Sequence, residues 1–195
     1  MGLADHVQEA IETLGYVDPK FAPQIIKSLE DAPGINPKAV SREFRKQGTQ
    51  LEPDEKRRIG LRANTLFSQN AFDSLTEKGK QKPIKALENT FLRAMLSEMR
   101  EQQIASMEKM ATEHGFGDNL KAQILGGIEG CPGCNKLSGD LVSPTKAREL
   151  IPPKECIREA CAMTVRENVD WIAVELEKED DNQAPKGFLA RIFGR

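Results

Sequence analysis

The chain has 195 residues and a mass of 21.7 kDa, with 38% apolar, 30% charged and only 5% aromatic side chains. That composition fits one domain, or two small ones, around a modest core, and no run approaches the roughly 18 uncharged apolar residues a transmembrane helix needs. A formal charge of −2 argues against a protein that coats nucleic acid or an anionic membrane.

The charge is uneven along the chain. Residues 1–41 carry net −3, residues 42–85 net +5, residues 86–130 net −3 and residues 131–195 net −1. The 42–85 stretch, with Lys56-Arg57-Arg58, reads first as a solvated helical face and second as a nucleic-acid contact. Asp5, Glu9 and Glu12 near the start, without an apolar h-region, predict no secretory leader. The expected location is cytoplasmic or, on the resemblance below, a virion.

Helix signals dominate the first part of the chain. Val7, Ile11 and Leu14 share a helical face that Gly15 closes. Asp18-Pro19 starts a second helix with Phe21, Ile25, Ile26 and Leu29, which Pro33-Gly34 breaks. Asn36-Pro37 starts a third with Val40 and Phe44, ended by Gly48. Pro53-Asp54-Glu55 opens a longer segment through Ile59, Ala63, Leu66 and Phe67, with Ser68 as a break or second cap before Phe72 and Leu75. Lys78 to Lys82 reads as a connection.

Pro83 begins the longest pattern. Ile84, Leu87, Phe91, Met95, Met99, Ile104, Met107 and Met110 recur at mostly helical spacing until His114-Gly115. About 30 residues at 1.5 Å rise give a spine on the order of 45 Å, against which the other helices should pack. Its methionines read as core rather than as a binding stripe. His6 and His114 lie near helix ends and outside any ligand motif. A short helix from Asn119 to Leu125, capped by Asp118, is expected next.

The cysteines carry the chemistry. Cys131, Cys134, Cys156 and Cys161 are the only four and form C-x2-C-x21-C-x4-C. Without a secretory leader, such pairs hold metal more often than they form disulfides. Two close pairs joined by a loop can supply the four soft ligands of tetrahedral Zn²⁺. Gly130-Cys131-Pro132-Gly133-Cys134 has the small residues of a zinc knuckle, which let backbone amides point at the sulfurs. A hairpin is expected over Lys136 to Val142, then a short helix capped by Ser143-Pro144 and ending near Leu150. Pro152-Pro153 would set up a last helix with Cys156 at its start and Cys161 a turn on, its dipole favouring thiolates. Val165, Val169, Ile172 and Leu176 would extend it, with Trp171 beside the stripe and the helix packed on the spine. An iron–sulfur cluster, a thioredoxin-type redox pair, and disulfides or free thiols remain as alternatives.

Cys131-Pro-Gly-Cys134-Asn-Lys-Leu137-Ser-Gly139, then Ile151-Pro152-Pro153-Lys-Glu-Cys156, then Cys161-Ala-Met, resembles the cysteine-rich C-terminal motif of tailed-phage head-morphogenesis (minor head) proteins and related bacterial ones. The resemblance covers about 35 residues. It implies metal-ligand roles for the four cysteines and turn roles for Gly139 and Pro152. Met163 stands where a further cysteine is common, and the frequent His-Pro-Asn before the third cysteine is absent.

The chain lacks a phosphate-binding G-x-x-x-x-G-K-[ST] loop, H-E-x-x-H and G-x-S-x-G. Neither histidine has the glutamate two residues on that a zinc deaminase requires. Catalytic zinc keeps an open position, which four cysteines would close. After a polar linker, Phe188, Leu189, Ile192 and Phe193 form one apolar stripe if helical, among Lys186, Arg191 and Arg195. Such a tail is expected to dock on a protein partner or on another copy, with folding back onto its own domain as the alternative.

The fold class expected is therefore mainly α: a helical bundle with one long spine over 1–125, a four-cysteine zinc module of treble-clef-like knuckle, hairpin and helix over 126–179, and a linker and docking tail over 180–195. The function expected is a non-enzymatic, zinc-stabilised structural or interaction protein, phage-associated if the resemblance holds. A nucleic-acid-binding regulator and a thiol–disulfide or other catalytic zinc protein are the alternatives.

Overall fold

Glycines and prolines divide the N-terminal part of the chain into helices where the pattern requires. The computed structural model describes residues 2–113, 116–126, 131–171 and 173. Helix α1 (Leu3–Leu14) buries Val7, Ala10, Ile11 and Leu14, and Gly15 ends it at φ 62°, its N–H donating to the Ile11 carbonyl. After a 3-10 turn capped by Asp18, α2 (Ala22–Glu30) turns Ala22, Ile25 and Leu29 inward. The Asn36 side chain accepts from the Lys38 N–H at 2.9 Å to start α3 (Pro37–Lys46), which buries Val40 and Phe44.

The next region is more broken than its sequence suggests. Helix α4 (Pro53–Arg58) stops after six residues, because Gly60 takes φ 76° and turns the chain. Ser68 does act as a cap, accepting from the Ala71 N–H at 3.2 Å, and opens α5 (Gln69–Asp73). The expected connection at Lys78 to Lys82 includes one helical turn, α6 (Glu77–Lys80), capped by Thr76. Gly79 is required there, since a Cβ would stand 2.2 Å from the Tyr16 carbonyl oxygen.

Helix α7 (Pro83–Glu113) is the expected spine, 31 residues long. It is shared between two apolar clusters. Its N-terminal half gives Ala86, Leu87, Phe91 and Ala94 to a core built with α1, α2 and α3, where the Phe44 and Phe91 rings lie 5.5 Å apart. Fully burying each of those rings is worth about 2–3 kcal/mol. Its C-terminal half gives Ile104 and Met107 to a second cluster with Leu120, Ala122, Ile124 and three of the cysteines. Met107 is buried, Met95 and Met110 pack at the margins, and Met99 is 46% exposed. His6 is buried in α1 against α7, its Nε2 3.5 Å from a Glu98 carboxylate oxygen.

Beyond α7 the chain departs from the expected order of short helix, knuckle, hairpin and last helix. Residues 120–125 form strand β1 (Leu120–Leu125), not a helix: Leu120, Ala122 and Ile124 alternate inward with Lys121 and Gln123 outward. In place of the expected hairpin, a short helix α8 (Pro132–Leu137) leads to β2 (Leu141–Val142). Ser143 accepts from the Lys146 N–H at 3.2 Å and caps α9 (Pro144–Leu150), as expected. Strand β3 (Thr164–Val169) replaces the expected last helix.

The three strands form one antiparallel sheet in the order β2-β1-β3, with Ile124 opposite Val165 and Leu120 opposite Val169. Trp171 does not pack on the spine; it is 61% exposed and meets Phe116 edge-on. His114, Ile172, Leu176 and the tail with Phe188, Leu189, Ile192 and Phe193 lie outside the described residues. Among the described residues, no helix is long and apolar enough to cross a membrane.

Candidate metal centre

Two short segments bring the cysteines together. Cys131 precedes α8 in an extended conformation and Cys134 lies within it, so one tight turn aims both sulfurs the same way. Asn135 and Ser138 donate their N–H groups to the carbonyls of Cys131 and Cys134 at 3.0 and 3.1 Å, which fixes the turn. The knuckle is then tied to β1, because Gly139, at φ 97°, donates to the Ile124 carbonyl at 2.8 Å.

The second pair sits on an irregular loop between α9 and β3 rather than at a helix start, so no helix dipole acts on it. The loop begins with a cis Ile151–Pro152 bond, and the Cys156 N–H closes a turn onto the Pro153 carbonyl at 2.9 Å. Gly133 lets the two segments meet. A Cβ there would lie 2.9 Å from the Glu155 carbonyl carbon and 3.1 Å from the Cys156 nitrogen. Only glycine allows that approach without movement.

Cys131, Cys134 and Cys156 form a group whose sulfurs all lie within 4.8 Å of one another and which can hold a metal ion. The individual Sγ–Sγ distances are 3.1 Å for Cys131–Cys134, 3.9 Å for Cys131–Cys156 and 3.7 Å for Cys134–Cys156. Cys161 is 3.9 Å from Cys134 but does not join that mutual group. Tetrahedral zinc with Zn–S bonds of about 2.3 Å separates its sulfurs by about 3.8 Å, so three of the four distances match that spacing. All four thiols are free, and the Cys131–Cys134 separation is well beyond the S–S bond length of about 2.05 Å.

Burial and hydrogen bonding divide the thiols. Bonds from the Cys134 thiol and from the backbone N–H groups of Cys134 and Ile157 lower the Cys131 pKa to about 7. Burial, together with its role as partner to Cys131, pushes the Cys134 thiol strongly up. Burial also raises Cys156. One thiolate held by amide donors beside three sulfurs is a suitable starting point for a soft cation, which binds thiolates and releases their protons.

Sequence reading missed Arg100. It lies on α7, 61 residues before Cys161, and is nearly buried. Its guanidinium donates to the carbonyls of Cys161 at 3.3 Å and Met163 at 3.1 Å, and to the Ser97 hydroxyl at 3.2 Å. Burial lowers its pKa and the neighbouring Cys161 sulfur opposes that shift. Polar residues at Asn89, Arg93, Ser97 and Gln103 flank Arg100 on the helix, so its sequence position did not mark it out. A second tie is Arg148 of α9, which pairs through all its donor groups with Glu101 and Glu108 of α7 and lowers the Glu108 pKa. His6 belongs to neither arrangement and lines, with Arg100 and Cys161, a cleft of about 220 Å³.

No family model, no curated protein and no solved structure matches the chain.

Proposed function

We propose that the chain is a non-enzymatic, metal-stabilised structural or interaction protein. Its ion is Zn²⁺, held by Cys131, Cys134, Cys156 and Cys161. The observation that carries this reading is the convergence of three sulfurs, with the fourth 3.9 Å from Cys134, where the Cys134 and Ile157 N–H groups point at the Cys131 sulfur. The ligands are all cysteines, a set that closes the coordination sphere and supplies no base, which supports a structural ion over a catalytic one. The ion would staple α8 to the loop before β3 and thereby complete the second cluster.

The basic stretch lends less support to the nucleic-acid alternative. Arg45 is buried against Glu88, Lys46 pairs with Glu43, Arg57 with Asp54 and Lys80 with Glu77, so four of the eleven basic side chains in the stretch are held by carboxylates. The resemblance of the cysteine segment extends the proposal to a role in phage particles or prophage-derived systems. Elemental analysis of purified protein, with thiol counting before and after chelation, tests the metal. One zinc per chain and four thiols released together are expected. Iron with visible charge-transfer absorbance, or a metal-free protein of undiminished stability, overturns it.

A further inference from the structure

The two cysteine pairs differ in spacing: two residues separate Cys131 from Cys134, and four separate Cys156 from Cys161. The longer spacer reaches the helical half of the molecule. Ile157 and Arg158 are exposed, whereas Glu159 is half-buried and bonded at both its side chain and its backbone. Its Oε1 accepts from the Tyr16 hydroxyl at 2.6 Å, and its Oε2 accepts from the Asn89 side-chain amide. Its carbonyl accepts from Arg93 Nη1 at 3.0 Å, and the same guanidinium pairs with Glu9 of α1 at 2.6 Å. The three donors lie 143, 70 and 66 residues from Glu159 in sequence.

Each donor is itself held in place. Tyr16 follows the glycine that ends α1, its carbonyl accepts from the Thr76 N–H at 3.0 Å, and the Lys78 ammonium stands 4.8 Å from its ring. Asn89 and Arg93 are about one turn apart on α7, next to Thr90, Phe91 and Ala94, which are buried. Ligands supported from such elements keep their geometry better than ligands on a free loop. Glu159 is three residues from Cys156 and two from Cys161, so fixing it confines their Cα atoms to within about 11 and 7 Å of an anchored point, at no more than about 3.6 Å per residue. Arg100 holds the Cys161 carbonyl and the Ile157 N–H points at the Cys131 sulfur, which ties the spacer down on either side of Glu159.

We propose that Glu159 is a positioning residue of the metal centre. Anchored by Tyr16, Asn89 and Arg93, it sets Cys156 and Cys161 against the Cys131–Cys134 turn, so that the first helical cluster governs how tightly the ion is held. The inference rests on the metal reading and deepens it. Contacts within the protein order the spacer, and the ion does not have to supply that ordering from its own binding free energy. The coupling is reciprocal: an ion that binds better when Glu159 is anchored strengthens the Tyr16–Glu159 contact by the same factor. Partners that orient metal ligands change affinity by about 10–100-fold when they are lost.

The test uses the full-length chain loaded with Zn²⁺, its affinity read by competition against a chromogenic chelator. Tyr16→Phe and Glu159→Ala should each weaken binding by about tenfold. The double variant should lose no more than Glu159→Ala alone, because both changes remove the same bond, whereas independent structural losses would add. Unchanged affinity in both single variants overturns the proposal. So do losses that add in the double variant, which would give Tyr16 and Glu159 separate roles. The metal reading fails by a different result: an unaltered chain that takes up no Zn²⁺. Glu159 is then tested in that metal-free chain by the rate at which Cys161 is alkylated. Faster alkylation in Glu159→Ala supports Glu159 as the residue that positions the thiols, and an unchanged rate overturns it.

Discussion

The two apolar clusters that share α7 are stabilised in different ways. The first is made by helices adjacent in sequence and includes Phe21, Phe44, Phe67 and Phe91 among its buried side chains. The second contains no buried aromatic residue among the described ones, and Cys131, Cys134 and Cys161 fill much of its centre. A small core without large side chains contributes only a few kcal/mol and is usually supplemented by a disulfide or a metal. Helical amphipathicity accounts for the first half, whereas the second has fewer large side chains and is the half that a cross-link between distant segments would stabilise.

Removing the proposed ion should separate the halves most sharply. Structural zinc contributes an apparent 10–16 kcal/mol, roughly, to the folding of small modules. Chelation or Cys131→Ser should therefore abolish exchange protection over residues 120–169 and leave α1 to α3 protected. Equal loss in both halves would show that the clusters unfold as one unit.

Glycine substitutions probe each half by the same means. Gly79→Ala drives a Cβ onto the Tyr16 carbonyl and Gly133→Ala drives one onto Glu155, so each should destabilise by about 1–3 kcal/mol or somewhat more. Only the second should also lower metal content. Thermal unfolding combined with elemental analysis distinguishes them, and retained metal in Gly133→Ala would remove that glycine from the centre.

Arg100→Met should destabilise by about 2–3 kcal/mol, because it leaves the Cys161 and Met163 carbonyls without their buried donor. The loss should be confined to the second cluster. A smaller effect is expected at Glu108. Arg148 holds its carboxyl below the ordinary value, so the pair stabilises the fold above the usual carboxylate pKa of about 4.3. That contribution disappears as pH falls through the lower folded-state value. The pair is about one-third exposed, so screening limits the effect to about 0.5 kcal/mol. Glu108→Gln should flatten the acid limb of the stability curve by that amount, and an unchanged limb would show that α9 is held by packing alone.

The same division explains what the sequence disclosed. Caps at Asp18, Asn36, Ser68 and Ser143 were legible because a side-chain oxygen before a helix makes a local bond with a local signature. The close spacing within each cysteine pair was legible too, and Cys131, Cys134 and Cys156 do converge into one group. Strand β3 was not, since residues i and i+4 share a face in both a helix and a strand, and Val165 and Val169 satisfy either pattern. The strict alternation of Leu120, Ala122 and Ile124 was a strand signal that the expected Asp118 cap overrode. Arg100 could not be recognised because its partners are backbone carbonyls brought to it only by folding.

Helix α7 contains no glycine, and its only proline is at its first position. Sharp kinks in helices arise at prolines, glycine-containing steps or π-bulges, and the first two are absent from its interior. The helix therefore acts as a ruler. Its 31 residues set the distance between its two ends, Pro83 and Glu113, at roughly 46 Å. A neighbour that grips both ends would read a fixed length, and an assembly built from repeated copies would inherit that spacing.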